Sequence, residues 1–226
     1  MKQNQQGRAF KAGIGYTLGN ILIKGINFLT LPIFSRVMSA EEFGVFNVFM
    51  SYDAILFVIV GLAMHTSIRS ANSEFKGKID AYTSSVSLLY LINALILAAV
   101  VVLFGAGLSG LLGFDRSVLY MLILFSTGSA ILTLYNNRIS LDYSFKKYLA
   151  VAMVNSIGNV ALSLILILTV FRSQKDVGRI LGSTLVIAAL AVVLLIGMYR
   201  KAKPRYNKQF WKFGLKYSLP IVPHGV

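Results

Sequence analysis

Ala81-Tyr-Thr-Ser-Ser-Val-Ser-Leu-Leu-Tyr-Leu-Ile-Asn-Ala-Leu-Ile-Leu-Ala-Ala-Val-Val-Val-Leu-Phe104 runs without one charged residue. About twenty apolar residues cross the hydrocarbon core of a bilayer as a helix, so this stretch is long enough to span it. It is also too long and too regular for a barrel strand, whose lipid and lumen faces alternate. Five more stretches read the same way: 12–34, 43–66, 118–139, 148–171 and 180–199. The third span is open to extension as far as Leu112, and a seventh begins near Phe210. The connections are short, which makes consecutive helices antiparallel neighbours. The fold class is therefore all-α, a polytopic membrane helical bundle of six transmembrane helices forming one lobe, plus the start of a seventh. By this reading residues 1–11 are a polar, basic N-terminal segment, 12–199 the lobe, 200–209 a basic linker, and 210–226 the opening of a second lobe.

Composition agrees with those segments. Of 226 residues, 56% are hydrophobic and 13% charged, about half the charged share of a soluble domain. There is no cysteine, and the two histidines, His65 and His224, make no metal set alone. No metal and no cofactor is expected. The net charge of +14 does not read as a nucleic-acid surface, because Lys and Arg fall in short patches between apolar runs. Placing the N-terminus in the cytoplasm puts 16 Lys and Arg inside and 5 outside, with Lys24 left within the first span. Cytoplasmic loops of membrane proteins carry that excess. The first apolar segment is too long for a signal-peptide core and has no small-residue cleavage site, so it reads as a permanent span.

Polar residues inside the spans are the candidates for function, since each is costly in hydrocarbon. Thr17, Asn20, Lys24 and Asn27 share one face of the first helix. Such a stripe faces either a water-filled cavity or a neighbouring helix. Asp53 is the sole acid within a span and lies at a depth similar to that of Lys24. An ion pair between them would carry both charges into the membrane, or would open when substrate or an ion binds. Weaker stripes occupy span three (Thr83, Ser87, Tyr90), span four (Ser126, Ser129, Thr133, Asn136) and span five (Asn155, Asn159, Ser163). Small and polar residues also mediate ordinary helix packing. Arg36, Arg69 and Arg138 stand at span ends, where a guanidinium either snorkels to the headgroups or donates two parallel bonds to phosphate. Pro32, Pro220 and Pro223 loosen helix hydrogen bonding. Enzyme chemistry is not expected. The eight acids form no Asp-x-Asp pair, and there is neither a glycine-rich phosphate loop nor a Gly-x-Ser-x-Gly elbow.

One internal echo bears on architecture. Lys11-Ala-Gly-Ile-Gly-Tyr-Thr-Leu18 aligns with Lys212-Phe-Gly-Leu-Lys-Tyr-Ser-Leu219. Both lead into a span from the basic side, as a parallel repeat of six-helix lobes requires. The alternative is chance likeness between two amphipathic helix starts. With a real repeat, the chain stops as its second lobe begins.

Three motifs bear a family likeness. Ser35-Arg36-Val-Met-Ser-Ala-Glu41-Glu42-Phe43-Gly44-Val-Phe46 joins spans one and two, Gly61-Leu-Ala-Met-His-Thr-Ser-Ile-Arg69 closes span two, and Tyr217-Ser218-Leu219-Pro220-Ile-Val-Pro223-His224 opens span seven. In order and spacing the set resembles the polysaccharide-biosynthesis flippases, the Wzx-like O-antigen and oligosaccharide branch of the multidrug/oligosaccharidyl-lipid/polysaccharide exporter superfamily, over its N-terminal half. The resemblance implies a two-lobed transporter of the bacterial inner membrane with a central cationic cavity. Its cargo would be undecaprenyl-pyrophosphate-linked oligosaccharide, moved from the cytoplasmic to the outer leaflet by alternating access. It implies Lys24 and Arg69 as pyrophosphate contacts, and Arg36 with Glu41 or Glu42 as closers of the outer gate. Asn20, Asn27, Asn155 and Asn159 complete the expected substrate-binding set, and Asp53 joins the gate and ion-pair set. The implied partners are the lipid-linked sugar, membrane lipids, and a polysaccharide polymerase with its chain-length proteins. Two other readings stay open: a multidrug exporter of the same superfamily, or a non-transporting membrane scaffold for polysaccharide synthesis. A membrane glycosyltransferase is disfavoured by the missing acidic pair.

Overall fold

The computed structural model describes residues 2–220, with side chains from Gly13 onward apart from that of Asn27. Pro223 and His224, and the side chains of Asn27 and Lys11, lie outside the described residues. Within them the chain forms α1 (Lys2–Val37), α2 (Ala40–Gly61), a 3-10 turn (Met64–Ser67), α3 (Ile68–Glu74), α4 (Ile79–Leu112), α5 (Arg116–Ser140), α6 (Phe145–Thr169), α7 (Lys175–Lys201) and α8 (Lys208–Ser218). Six of these are long and apolar enough to cross a membrane: Gly13–Val37, Ala40–Gly61, Ile79–Leu112, Arg116–Ser140, Phe145–Thr169 and Lys175–Lys201. The chain is a multi-pass, all-helical membrane protein.

Two loop sets mark the ends of the bundle. The basic end holds the start of α1, α3, the α5–α6 turn and α8. The far end holds the α1–α2, α4–α5 and α6–α7 turns. Helix starts are written into these turns. Ser39 accepts the Glu42 N–H at 3.1 Å while Glu42 accepts the Ser39 N–H at 2.8 Å. This reciprocal box satisfies two N–H groups that the first turn of α2 leaves free.

Packing follows membrane logic. Lipid is as apolar as leucine, so helices associate through close backbone approach and polar bonds. Gly182 of α7 sits on the Ser163 backbone of α6; a Cβ there would lie 2.7 Å from Ser163 Cα. Gly128 of α5 meets Ile187 of α7 in the same way. Ser126 donates to Asp53 at 2.6 Å, joining α5 to α2. Asn93 donates to the Val60 carbonyl at 3.0 Å, joining α4 to α2. The outer faces present Leu95, Leu103, Phe104, Leu111, Val192 and Val193 to lipid.

Two expectations are corrected. The second span was expected to continue to Thr66 but stops at Gly61. Leu62 (φ 46°) and Ala63 (φ 51°) take left-handed backbone there and redirect the chain into the 3-10 turn. Consecutive helices are not all close neighbours either. α1 rests on α6 and barely meets α2, which leaves a gap between the α1–α6 pair and the α2–α5 pair. The described part of the expected seventh span, α8, is amphipathic and packs on the first lobe. Phe210 and Phe213 of α8 pack on Phe75 and Tyr82, and Trp211 Nε1 donates to the Ser85 carbonyl and hydroxyl at 3.0 Å each. Gly214 admits the Met64 methyl and the Tyr82 hydroxyl.

Candidate functional site: a polar cleft between two helix pairs

The gap left by α1 holds two neighbouring chambers. The chamber at the basic end has a volume of about 460 Å³ and is lined by Gly13, Tyr16, Asn20, Arg69, Asn136, Asn137, Ser140, Tyr143 and Tyr148. The chamber toward the far end has about 390 Å³ and includes Asn136, Tyr148, Asn155, Ser156, Asn159 and Arg179 in its wall. Asn136 and Tyr148 belong to both walls, so the chambers are adjacent. Ligand sites typically occupy about 300–1,000 Å³. The lining of both chambers holds amides, hydroxyls, phenols and two arginines, and no carboxylate.

The waist is an α1–α6 bridge. Tyr148 donates to Asn20 Oδ1 at 2.6 Å, and the Tyr16 and Tyr148 rings lie 5.1 Å apart, tilted by 57°. Gly15 is required beside them, since a Cβ would strike the Phe145 ring at 2.5 Å. The Tyr16 hydroxyl and Asn155 Oδ1 are buried without a hydrogen-bond partner among the described residues. In a protein interior such orphans are uncommon and point to a water or ligand position.

The sequence-derived site residues divide. Asn20, Arg69, Asn155 and Asn159 come together in the cleft. Lys24 does not line either chamber and is exposed. No ion pair joins it to Asp53 among the described residues. Asp53 is 9% exposed and takes the Ser126 hydroxyl instead. Arg36 and Glu41 are exposed, and no ion pair links Arg36 to Glu41 or Glu42 among the described residues. Glu42 caps its own helix and also accepts the Lys175 N–H at 3.2 Å, bringing the start of α7 against the α1–α2 turn. The span-three polar residues serve packing: Thr83 and Ser87 are buried, and Ser87 donates to Tyr199 at 3.1 Å.

Two residues of the site were missed. Tyr148 read as a span start, although its spacing to Asn155 and Asn159 puts all three on one helical face. Arg179 falls one residue ahead of the sixth span as read from the sequence, 180–199, and so among the outside charges. α7 begins at Lys175, with Asp176 in its first turn, so Arg179 lies one turn inside the helix and 7% exposed. The acid just ahead of an apolar run was the signal for that earlier start. Arg179 has no carboxylate partner among the described residues. Its guanidinium carbon stands over the rings of Phe34 (3.7 Å), Phe46 (4.0 Å) and Phe43 (5.0 Å). A desolvated cation–π contact contributes about 2 kcal/mol, which offsets part of the burial of this charge.

A family model described as polysaccharide biosynthesis protein matches residues 10–226. The chain belongs to that family. No curated protein and no solved structure matches it. The likeness carried by the Ser35–Phe46, Gly61–Arg69 and Tyr217–His224 motifs thus holds over nearly the whole chain. In this polysaccharide biosynthesis protein the first motif builds the α1–α2 turn and its capping box, and the second builds the α2 break that swings Arg69 to the cleft. Among the described residues no three His, Asp or Glu side chains gather as a metal-ligand set.

Proposed function

We propose that this protein carries a lipid-linked oligosaccharide across the membrane, with its pyrophosphate head and first sugars in the α1–α6/α2–α5 cleft and its polyprenyl tail in the bilayer. The observation that carries the reading is the composition of the cleft. Cations stand at both ends, amides and phenols lie between, and no carboxylate opposes an anionic head. Asn and Tyr side chains both donate and accept, as sugar hydroxyls require. The gap lies beside α1, which barely meets α2, so outward tilting of α1 widens it while α6 stays packed on α7. Alternating access then opens the basic end to the cytoplasm and the far end to the outer face. The protein acts as a carrier, and no bond of the cargo is broken. A cleft without acids is poorly suited to the cationic drugs of a multidrug exporter.

The test is transfer of a fluorescent polyprenyl-pyrophosphate disaccharide between leaflets of proteoliposomes containing the chain. Wild type should move the probe, and Arg69→Gln or Asn136→Leu should slow it at least about tenfold, the size expected for losing one charge-assisted contact. Transfer no faster than in empty liposomes would sink the reading. Because the chain has no cysteine, single cysteines placed at Lys76 and Arg172 report orientation directly. Labelling of Lys76→Cys from the outer face would reverse the proposed direction.

A further inference from the structure

The far end of the cleft holds an unusual cation. Arg179 is 7% exposed and lines the 390 Å³ chamber. Among the described residues its Nε has no hydrogen-bond partner, and its one hydrogen bond is from Nη1 to Met38 Sδ at 3.8 Å, a weak acceptor. The three phenylalanine rings attract the charge but offer no lone pair to its N–H donors. A guanidinium left this way retains the fork of parallel N–H groups that fits an oxyanion. The nearby cation Lys175 is already committed, its Nζ donating to the Val37 carbonyl at 2.8 Å. Asn159, in the same wall, accepts the Ser183 hydroxyl at 3.1 Å, which fixes its amide against α7.

We propose that Arg179 is an anion-binding residue for a phosphate group at the far end of the cleft, a second station beyond Arg69. This deepens the transport reading and rests on it for the choice of phosphate. Arg69 is exposed at the basic end, where a head arriving from water meets it first. Arg179 is desolvated and aromatic-walled, so it binds the head after its water is shed and just before release. Two stations of opposite exposure give a path rather than a single trap.

Binding is measured by calorimetric titration of the full chain in maltoside micelles, which contain no phosphate, at low salt. Farnesyl pyrophosphate and inorganic pyrophosphate are the two probes. Arg179→Gln should weaken farnesyl pyrophosphate at least about tenfold, with Arg179→Lys between it and wild type. Arg172→Gln, an exposed cation at the same end, should match wild type. Equal loss for both probes identifies free phosphate as sufficient. Loss confined to the prenyl probe identifies a lipid-borne phosphate. Unchanged binding in Arg179→Gln, equal weakening in Arg172→Gln, or no binding by wild type overturns the site. Should Arg179→Gln fail to fold, the wild-type chain decides: pyrophosphate must shift the Arg179 Nε–H resonance, and a resonance that stays put overturns the site. The two readings also fail separately. Arg179-dependent binding in a chain that transports nothing overturns transport alone. Transport by a chain whose binding ignores Arg179 overturns the station alone.

Discussion

Arg138 and Arg179 are both buried, at opposite ends of the bundle, and they have opposite fates. Arg138, 9% exposed, donates from Nε to Asp80 at 2.8 Å and from Nη1 to Asp142 at 2.9 Å. It ties the start of α4 to the end of α5 and has little left to offer a ligand. Arg179 has rings around it and, among the described residues, no acid partner. A buried cation held by carboxylates is structural, whereas one without them is available. The contrast breaks most sharply under the same substitution at both sites. Arg138→Met leaves two carboxylates unpaired and should lower stability by about 2 kcal/mol. That is below the 3–5 kcal/mol of a fully buried pair, because the side chains of Asp80 and Asp142 are 38% and 51% exposed. Arg179→Met removes an unpaired desolvated charge and should leave stability unchanged or raise it. Unfolding in mixed micelles followed by circular dichroism measures both. Equal losses at the two sites would erase the distinction between a structural and an available arginine.

A second contrast separates the packed helices from the cleft wall. The apolar window of α5 is 61% buried and that of α1 12%. Where α6 and α7 touch through Gly182, the neighbour is the Ser163 backbone, which has no rotamer to yield. Gly182→Ala should therefore cost about 2 kcal/mol, within the range for overpacked cores. Gly25→Ala on α1 meets nothing within 4 Å and should be neutral, or gain a few tenths of a kcal/mol from helix propensity. Thermal unfolding of the two variants side by side tests this. A destabilised Gly25→Ala would mean that α1 is packed more tightly than the cleft allows.

Those contrasts also show what the sequence could disclose. The spans were legible because lipid demands long apolar runs, and each of the six overlaps its helix. Asn20, Arg69, Asn155 and Asn159 were legible as cleft residues because a polar group in a span needs somewhere to go. Lys24 obeys the same rule and lies outside both chambers, because periodicity carries no information on where a neighbouring helix ends. The pairing of Asp53 was illegible for a similar reason. A carboxylate takes whichever donor stands opposite, and helix order placed Ser126 there rather than Lys24. Arg179 was hidden by a boundary shift of five residues, enough to move a charge from a loop into a membrane-embedded wall. The bend at Leu62 and Ala63 left no trace, since neither residue type favours left-handed backbone.

The smallest effect concerns what joins the far-end turns, where no ion pair does so among the described residues. Glu42 accepts from Ser39 N–H within its own turn and from Lys175 N–H across the bundle, so one carboxylate caps α2 and meets the start of α7. Glu42→Ala should cost about 1 kcal/mol, the usual size of a lost helix cap. Glu42→Gln should cost less, because glutamine at this position completes the same box. Salt sharpens the comparison with Arg138. About 1 M salt screens beyond roughly 3 Å, so the penalty of Arg138→Met should shrink there, since its partners are half exposed. The Glu42→Ala penalty should persist, because its N–H contacts are local hydrogen bonds at 2.8 and 3.2 Å. If both penalties fade together, Glu42 acts at the far end by charge, and the gate expected of the α1–α2 turn would be electrostatic after all.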